Sequence, residues 1–352
     1  MLSSRSDHGG GPKHIATLVT SLCRSHEFLV AAPEIGHYSD VFSRTSLARF
    51  DLPHRRFSFF ALFRLCLFAR RYKVDVIHSH GRGAGYYSRL VRMILPGVKV
   101  IHTHHGFYFQ RLDGMKRFVL IQIEKFFSRF TDTYVFVSES ESRAAASVGL
   151  YYPEKSHLIS NGISVYPLLE RKPPSGGKTI ITVTRLEKEK GNDILLQVIA
   201  ELSRARDDFS IRIVGDGPER QGLEMMAAEL GILDHVEFLG VREDVPQLLV
   251  ASDIFVSASL GEAQGIAIME AMMHGVPVVA SRVMGHIDII EHERNGLLFD
   301  LDSVEDGAGC ISRMIEDTGL WELIRSRGHQ HASEKYSKET MANKIAALYR
   351  PE

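Results

Sequence analysis

The amino-acid sequence predicts an α/β protein of two doubly wound parallel-sheet domains, and three observations carry that expectation. Short apolar, β-branched runs recur along the 352 residues, each ending in small or polar residues and followed by helical periodicity. That is the pattern of strand–helix units whose sheets are buried on both faces. A chain of this length, 44% hydrophobic and 24% charged, exceeds one ordinary core and has the composition of a globular protein throughout. One composition break, YPLLERKPPSGG at residues 166–177, pairs prolines with glycines and continues neither helix nor strand.

The strand candidates are residues 27–33, 74–78, 98–103 and 133–138 before the break, and 178–184, 210–215, 235–239, 253–257 and 276–280 after it. They imply an N-terminal domain over residues 1–168, a second over 169–334, and a closing helical segment over 335–352.

Charge and cysteine content exclude several function classes. Lysine plus arginine number 42 against 43 acidic residues, so no global field recruits nucleic acid. Cys23, Cys66 and Cys310 include no C-x-x-C pair, which fits a reducing compartment, and the cytoplasm is the expected location. MLSSRSDHGGG lacks the apolar core of a secretory signal. The most apolar stretch, Phe57 to Ala69, contains Arg64 and falls short of the roughly 20 residues of a spanning helix, so no transmembrane helix is expected.

In open parallel sheets ligands bind beyond the carboxyl ends of the strands, so the loops there carry the chemistry. HGGGPKH at residues 8–14 is a glycine-rich turn opening a helix, suited to a phosphate or an acceptor sugar and equally to a frayed terminus. VIHSHG and VIHTHHG then place His78, His80, His102, His104 and His105 at strand ends. Strand alternation sends His102 and His104 to one face and His105 to the other. Such histidines offer neutral hydrogen-bonding groups beside a reacting sugar. Paired H-x-H motifs are also a metal-ligating pattern, but no Asp or Glu lies beside them and no metal site is expected.

In the second half, TRLEKEKG sets Arg185 and Lys190 on one strand-to-helix loop, where two cations can neutralise a diphosphate without a metal. A solvated charged loop explains them as well. VGDGP places Gly215 and Gly217 at a strand end, for a tight turn or for close nucleotide approach. GEAQGIAIMEA sets Glu262 and Glu270 eight residues apart, with Gly265 before an apolar helix that starts near Ile266. A helix N-terminus beside a glycine is a phosphate cradle, and Glu270, one turn in, is placed to accept hydrogen bonds from vicinal hydroxyls. Complementing the helix dipole is the plain structural alternative for both glutamates.

Taken in order, GGGPKH, DVIHSH, THHG, VSES, ISNGI, TRLEKEKG, VGDGP, GEAQGIAIMEA and NGLLF resemble glycosyltransferase family 4, the retaining GT-B enzymes of bacterial envelope synthesis, over nearly the whole chain. The resemblance implies two Rossmann-like domains facing a cleft and a nucleotide-sugar donor, UDP-linked by preference. Arg185 and Lys190 would bind its diphosphate, Glu270 the ribose, and Glu262 the donor sugar, with the amides around Gln264, Gly265 and Ile266 on the sugar hydroxyls. His105 would stand near the reacting centre, and Gly10 and Gly11 near the donor phosphates or the acceptor. No cofactor is implied: the nucleotide-sugar is a substrate and no metal is required. The acceptor implied is lipid-linked or a saccharide of capsule, exopolysaccharide or lipopolysaccharide. Gln264 stands where many members carry phenylalanine, and only MLSSRS precedes Asp7, so the first strand is expected to be short or missing.

Two apolar segments with basic flanks, residues 55–73 and 115–130, suit either a core helix or peripheral contact with a membrane that carries the acceptor. Two rival functions remain open: a sugar-nucleotide epimerase of similar fold, and a non-catalytic sugar-nucleotide-binding subunit.

Overall fold

A computed structural model describes residues 1–106, 114–171 and 177–350. The chain divides into two compact units, one of Met1–Gly162 with Lys338–Glu352, the other of Ile163–Ser337. The division therefore falls at Gly162 rather than at residue 168, and the return at Lys338 rather than at 335. Packing explains the position. A Cβ on Gly162 would come 2.5 Å from the Cα of Lys338, so only glycine lets these segments touch. Next to it, the Ile163 N–H donates to the Tyr336 carbonyl at 2.7 Å. Residues 172–176 of the proline-glycine break lie outside the described residues.

The first unit holds a seven-stranded sheet built from β1 (Leu2–Ser3), β2 (Leu29–Ala31), β3 (Ala48–Phe50), β4 (Val76–His80), β5 (Lys99–Thr103), β6 (Thr133–Phe136) and β7 (Ser156–Leu158). Its order is β3-β2-β1-β4-β5-β6-β7, all parallel. The first strand is present but short, two residues inserted between β2 and β4. Helix Gly10–Leu22 covers one face with Ile15, Leu18 and Val19, and helix Lys338–Leu348 joins the same core through Met341, Ala342 and Ile345.

Helix Gly114–Phe127 sits differently: its one buried residue is Glu124, whose carboxylate accepts from the fully buried Arg89 guanidinium at 2.8 Å. Arg89 donates also to the Thr131 hydroxyl at 3.0 Å. Helix Phe59–Arg71 buries Ala61, Leu62, Leu65, Cys66 and Ala69 and turns Phe59, Phe60, Phe63 and Leu67 outward.

The second unit holds β8 (Lys178–Val183), β9 (Phe209–Val214), β10 (Val236–Gly240), β11 (Ile254–Ser257), β12 (Val278–Ser281) and β13 (Leu297–Phe299). They form a six-stranded parallel sheet in the order β10-β9-β8-β11-β12-β13, the doubly wound dinucleotide-fold order. Two apolar clusters flank it, one around Ile180, Leu196, Ile211 and Trp321, the other around Phe255, Met269, Met272 and Ile290. Each sheet thus reverses direction once, at β1/β4 in the first unit and at β8/β11 in the second. At such a switch point the flanking loops diverge and leave a crevice at the carboxyl ends.

No helix among the described residues is long and apolar enough to cross a membrane.

Candidate functional sites at the two switch points

At the second unit's switch point, β8 runs into the Arg185–Lys190 loop, whose buried Leu186 anchors it to the core. Gly191 then takes a left-handed turn, φ 60°, flush against the end of β11. A Cβ there would lie 2.1 Å from the Ala258 carbonyl oxygen, so only glycine allows the loop to settle. The close approach carries Lys190 to the loop after β11, where its ammonium pairs with the Glu262 carboxylate at 2.5 Å. The Ser259 hydroxyl donates to the same oxygen at 3.0 Å.

Burial acts to raise the Glu262 carboxyl, and Lys190, His286 and Ser259 outweigh it, so the group stays below its usual range and ionised. Arg185 pairs instead with Glu187, two residues along its own loop.

Sequence reasoning missed His286. It follows Gly285, which at φ 86° packs against the Glu262 backbone. The His286 ring is buried with Nδ1 bonded to the Ser281 carbonyl at 3.0 Å, and its Nε2 has no partner among the described residues. Burial lowers its pKa, Glu262 opposes, and the net direction is down. A Cβ on Gly265 would come 3.3 Å from this ring, so glycine there also makes room for it. A lone histidine in an apolar loop carries no signal in the sequence.

Gly265 is the N-cap of helix Ile266–Met273 and supplies no side-chain cap to its first amides. Gln264 is buried beside it, and Glu270 lies half-buried one turn in. Gly215 has a simpler reason to be glycine than ligand approach. At φ 132° its Cβ would lie 1.7 Å from the Thr184 carbonyl oxygen, so the backbone contact alone demands it.

At the first unit's switch point, Gly10 opens helix Gly10–Leu22, and a Cβ on Gly11 would stand 3.6 Å from the His105 ring. His105 leaves β5 with φ 56°, an uncommon left-handed conformation for a side-chain-bearing residue. That turn directs it away from His102 and His104, whose rings lie 4.6 Å apart, and toward His80. His80 Nδ1 and His105 Nε2 are 3.0 Å apart.

His14, from the helix, closes the group: its ring centroid is 4.8 Å from that of His105 and 5.3 Å from that of His80. His14 Nδ1 donates to the Asn161 side-chain carbonyl at 2.7 Å. His78 is engaged elsewhere, by Tyr349 and Thr103 at 2.8 Å each, and His102 by Ser79 at 2.9 Å.

Burial, reinforced by mutual repulsion, pushes His80 and His105 well below the ordinary imidazole value, and burial pushes His14 down to about 4. All three rings are neutral near pH 7. A cavity of about 430 Å³ opens elsewhere in this unit, lined by Met1, Phe28, Leu65, Tyr72 and Tyr349, and of the candidate histidines only His78 is among its lining residues.

Comparison with known proteins agrees with this architecture. The family described as Glycosyltransferase Family 4 matches residues 8–165, and that described as Glycosyl transferases group 1 matches residues 170–339. The chain is 27% identical to the putative glycosyltransferase EpsD of Bacillus subtilis, over 86% of this chain and 84% of that protein. It is 25% identical to the UDP-Gal:alpha-D-GlcNAc-diphosphoundecaprenol alpha-1,3-galactosyltransferase of Escherichia coli, over 74% and 71%.

Among solved structures, Anabaena Alr3699/HepE in complex with UDP and glucose superposes with a TM-score of 0.84 at 21% identity, covering 99% of both chains. The two sheets are those of the GT-B fold. With a family 4 domain before residue 166 and a group 1 domain after residue 169, this chain belongs to the GT-B glycosyltransferases.

Proposed function

We propose that the protein is a retaining glycosyltransferase that moves a sugar from a UDP-sugar to a lipid-linked or saccharide acceptor of a cell-envelope polysaccharide. The observation that carries this reading is the Lys190–Glu262 pair at the β8/β11 switch point. A partly exposed ammonium held by one carboxylate at a strand-end crevice can be handed to an incoming anion, and a donor diphosphate is the anion that such crevices take. The names of the Escherichia coli relative and of the UDP-bound Anabaena structure support uridine as the base, and the former supports a diphosphate-linked lipid acceptor.

In this reading Lys190 and Arg185 hold the diphosphate, Glu270 the ribose, and Gly215 lets the nucleotide approach. The backbone around Gln264, Gly265 and Ile266 binds the donor sugar together with Glu262. From the first unit, Gly10 and Gly11 border the phosphates or the acceptor, and His105, neutral, hydrogen-bonds the sugar near its reacting carbon. Cleavage of the anomeric bond is driven by stabilising the departing diphosphate. Its oxygen takes the acceptor hydroxyl's proton on the face where the new bond forms, so configuration is retained. The two cations do the charge work, and no metal cofactor is needed on the diphosphate.

The reading places the enzyme in the cytoplasm, at the membrane that carries its acceptor. Phe59, Phe60 and Phe63 are 79%, 69% and 61% exposed on one helix, with the Arg64 guanidinium over the Phe60 ring. Met115, Phe118 and Phe126 are exposed on helix Gly114–Phe127. Aromatic side chains mixed with arginines on an uncovered helix suit the headgroup boundary of a bilayer.

The test is a donor screen on purified protein, following nucleoside diphosphate release with and without membrane-lipid extract and EDTA, with the anomeric configuration of the product read by NMR. Acceptor-dependent, EDTA-resistant release with retention is expected. Isomerised sugar nucleotide from donor alone would identify an epimerase, and binding without turnover in any extract would identify a non-catalytic subunit.

A further inference from the structure

The geometry points to a three-histidine binding site for one divalent transition-metal ion, Zn²⁺ by preference, formed by His14, His80 and His105 in the first unit. One ring nitrogen of each lies within 4.8 Å of the other two. A tetrahedral zinc with bonds of about 2.0–2.1 Å needs its ligand nitrogens roughly 3.3–3.4 Å apart. His80 Nδ1 and His105 Nε2, hydrogen-bonded at 3.0 Å, need to part by only a few tenths of an ångström to reach that spacing. Small side-chain rotations bring in His14.

The surroundings are those of a ligand set. The His14 Nδ1–H is committed to Asn161, which fixes the tautomer and turns a lone pair on Nε2 toward the cluster. That Nε2 is buried and has no partner among the described residues. Buried polar atoms are normally satisfied, so this unmet acceptor on the cluster points to a ligand there. The rings are neutral, so metal binding displaces no proton. They come from a helix, a strand end and a left-handed turn, so the backbone and not chance side-chain placement sets the convergence.

The H-x-H pairs did not reveal the site in sequence, because His78 and His102 are engaged elsewhere and the third ligand comes from the glycine-rich segment.

Imidazole alone, without a carboxylate, favours Zn²⁺, Co²⁺ or Ni²⁺ over Mg²⁺ or Mn²⁺. The ion is therefore not the diphosphate counter-ion of a metal-dependent transferase. Three protein ligands leave a fourth position for water. Because the ion occupies the His105 lone pair, its binding inhibits transfer; this consequence rests on the proposed assignment of His105 to the donor sugar.

The experiment uses the full chain stripped with chelator and titrated with Co²⁺, then with Zn²⁺ in competition. The expected result is one equivalent bound, with visible absorption typical of tetrahedral nitrogen ligation. H14A and H105A, checked by circular dichroism and by retained UDP binding, weaken it at least tenfold. H37A serves as control, since His37 stacks on His8 at the surface and offers the alternative histidine pair.

Absence of binding to folded wild type, or a loss that follows H37A instead of H14A and H105A, overturns the site. Equimolar Zn²⁺ should suppress turnover and chelator restore it. Stoichiometric binding without inhibition supports the site and overturns the assignment of His105 to the donor.

Discussion

The Lys190 ammonium meets the Glu262 carboxylate at 2.5 Å, and the Ser259 hydroxyl holds the same oxygen from the other side at 3.0 Å. Two residues assigned to the donor thus neutralise each other until it arrives, and the diphosphate must draw Lys190 toward itself. Lys190→Ala removes a cation from the leaving group and leaves a buried carboxylate without its partner. Turnover should fall by about 10²-fold or more, the scale for losing one preorganised electrostatic contact.

The same change moves a titration. Glu262 is held below its unfolded value, so its contribution to stability is present above that value and is lost as pH falls through the folded one. Without Lys190, burial is less opposed and the loss begins at higher pH. Steady-state kinetics and melts over pH 4–7 test both effects, and unchanged profiles would sink the proposed role of the pair.

The histidines of the first unit make a separate pH prediction. His14 is lowered from 6.5 to about 4, and His78, His80, His102, His104 and His105 are lowered with it. An imidazole whose folded pKa is depressed stabilises the fold fully above its unfolded value. That contribution drains away as pH falls from 6.5 toward the folded value, because the unfolded chain takes protons first. For His14 alone the loss between pH 7 and pH 5 is on the order of 2 kcal/mol. The first unit should lose stability steeply over this range, and His14→Asn should flatten the slope by about one proton. Thermal melts from pH 7 to 5 measure it.

Gly191 offers a purely steric test. Any side chain there meets the Ala258 carbonyl at 2.1 Å in a left-handed backbone. Gly191→Ala should cost about 1–3 kcal/mol and, by lifting the Arg185–Lys190 loop, weaken UDP binding. Calorimetry reads both. A destabilised protein with normal UDP affinity would mean that the loop does not hold the diphosphate.

These residues also mark what was legible in sequence. Strands such as Lys178–Val183 and Phe209–Val214 were readable because six residues rich in β-branched and apolar side chains stand between turn-forming segments. Leu2–Ser3, Ala48–Phe50 and Ser156–Leu158 were not, since two or three residues cannot establish a pattern. Glycines at 191 and 215 were visible as turns, but the carbonyls they press against belong to neighbouring strands. Lys190 and Glu262 were each picked out by motif, while their pairing spans 72 positions and exists only because β8 and β11 are neighbours. His14 and Asn161 lie within GGGPKH and ISNGI, but nothing local announced that residues 147 positions apart would pair.

For the exposed aromatic helix, Phe60→Asp with Phe63→Asp should reduce sedimentation with anionic liposomes several-fold while leaving the melting temperature within a few degrees, because neither ring is in the core. Charge reversal at Arg64 and Arg71 should do the same. Unchanged sedimentation in both variants would remove this segment as a membrane contact.

Helix Gly114–Phe127 buries Glu124 alone and is fastened by its contact with Arg89. A directional charge pair, backed by Phe127 against the Tyr86 ring, fixes where the helix lies and which way it is rotated, yet makes no demand on the side chains that face outward. The outward side chains of this helix can therefore be exchanged without disturbing the Arg–Glu fastening or the sheet beneath it.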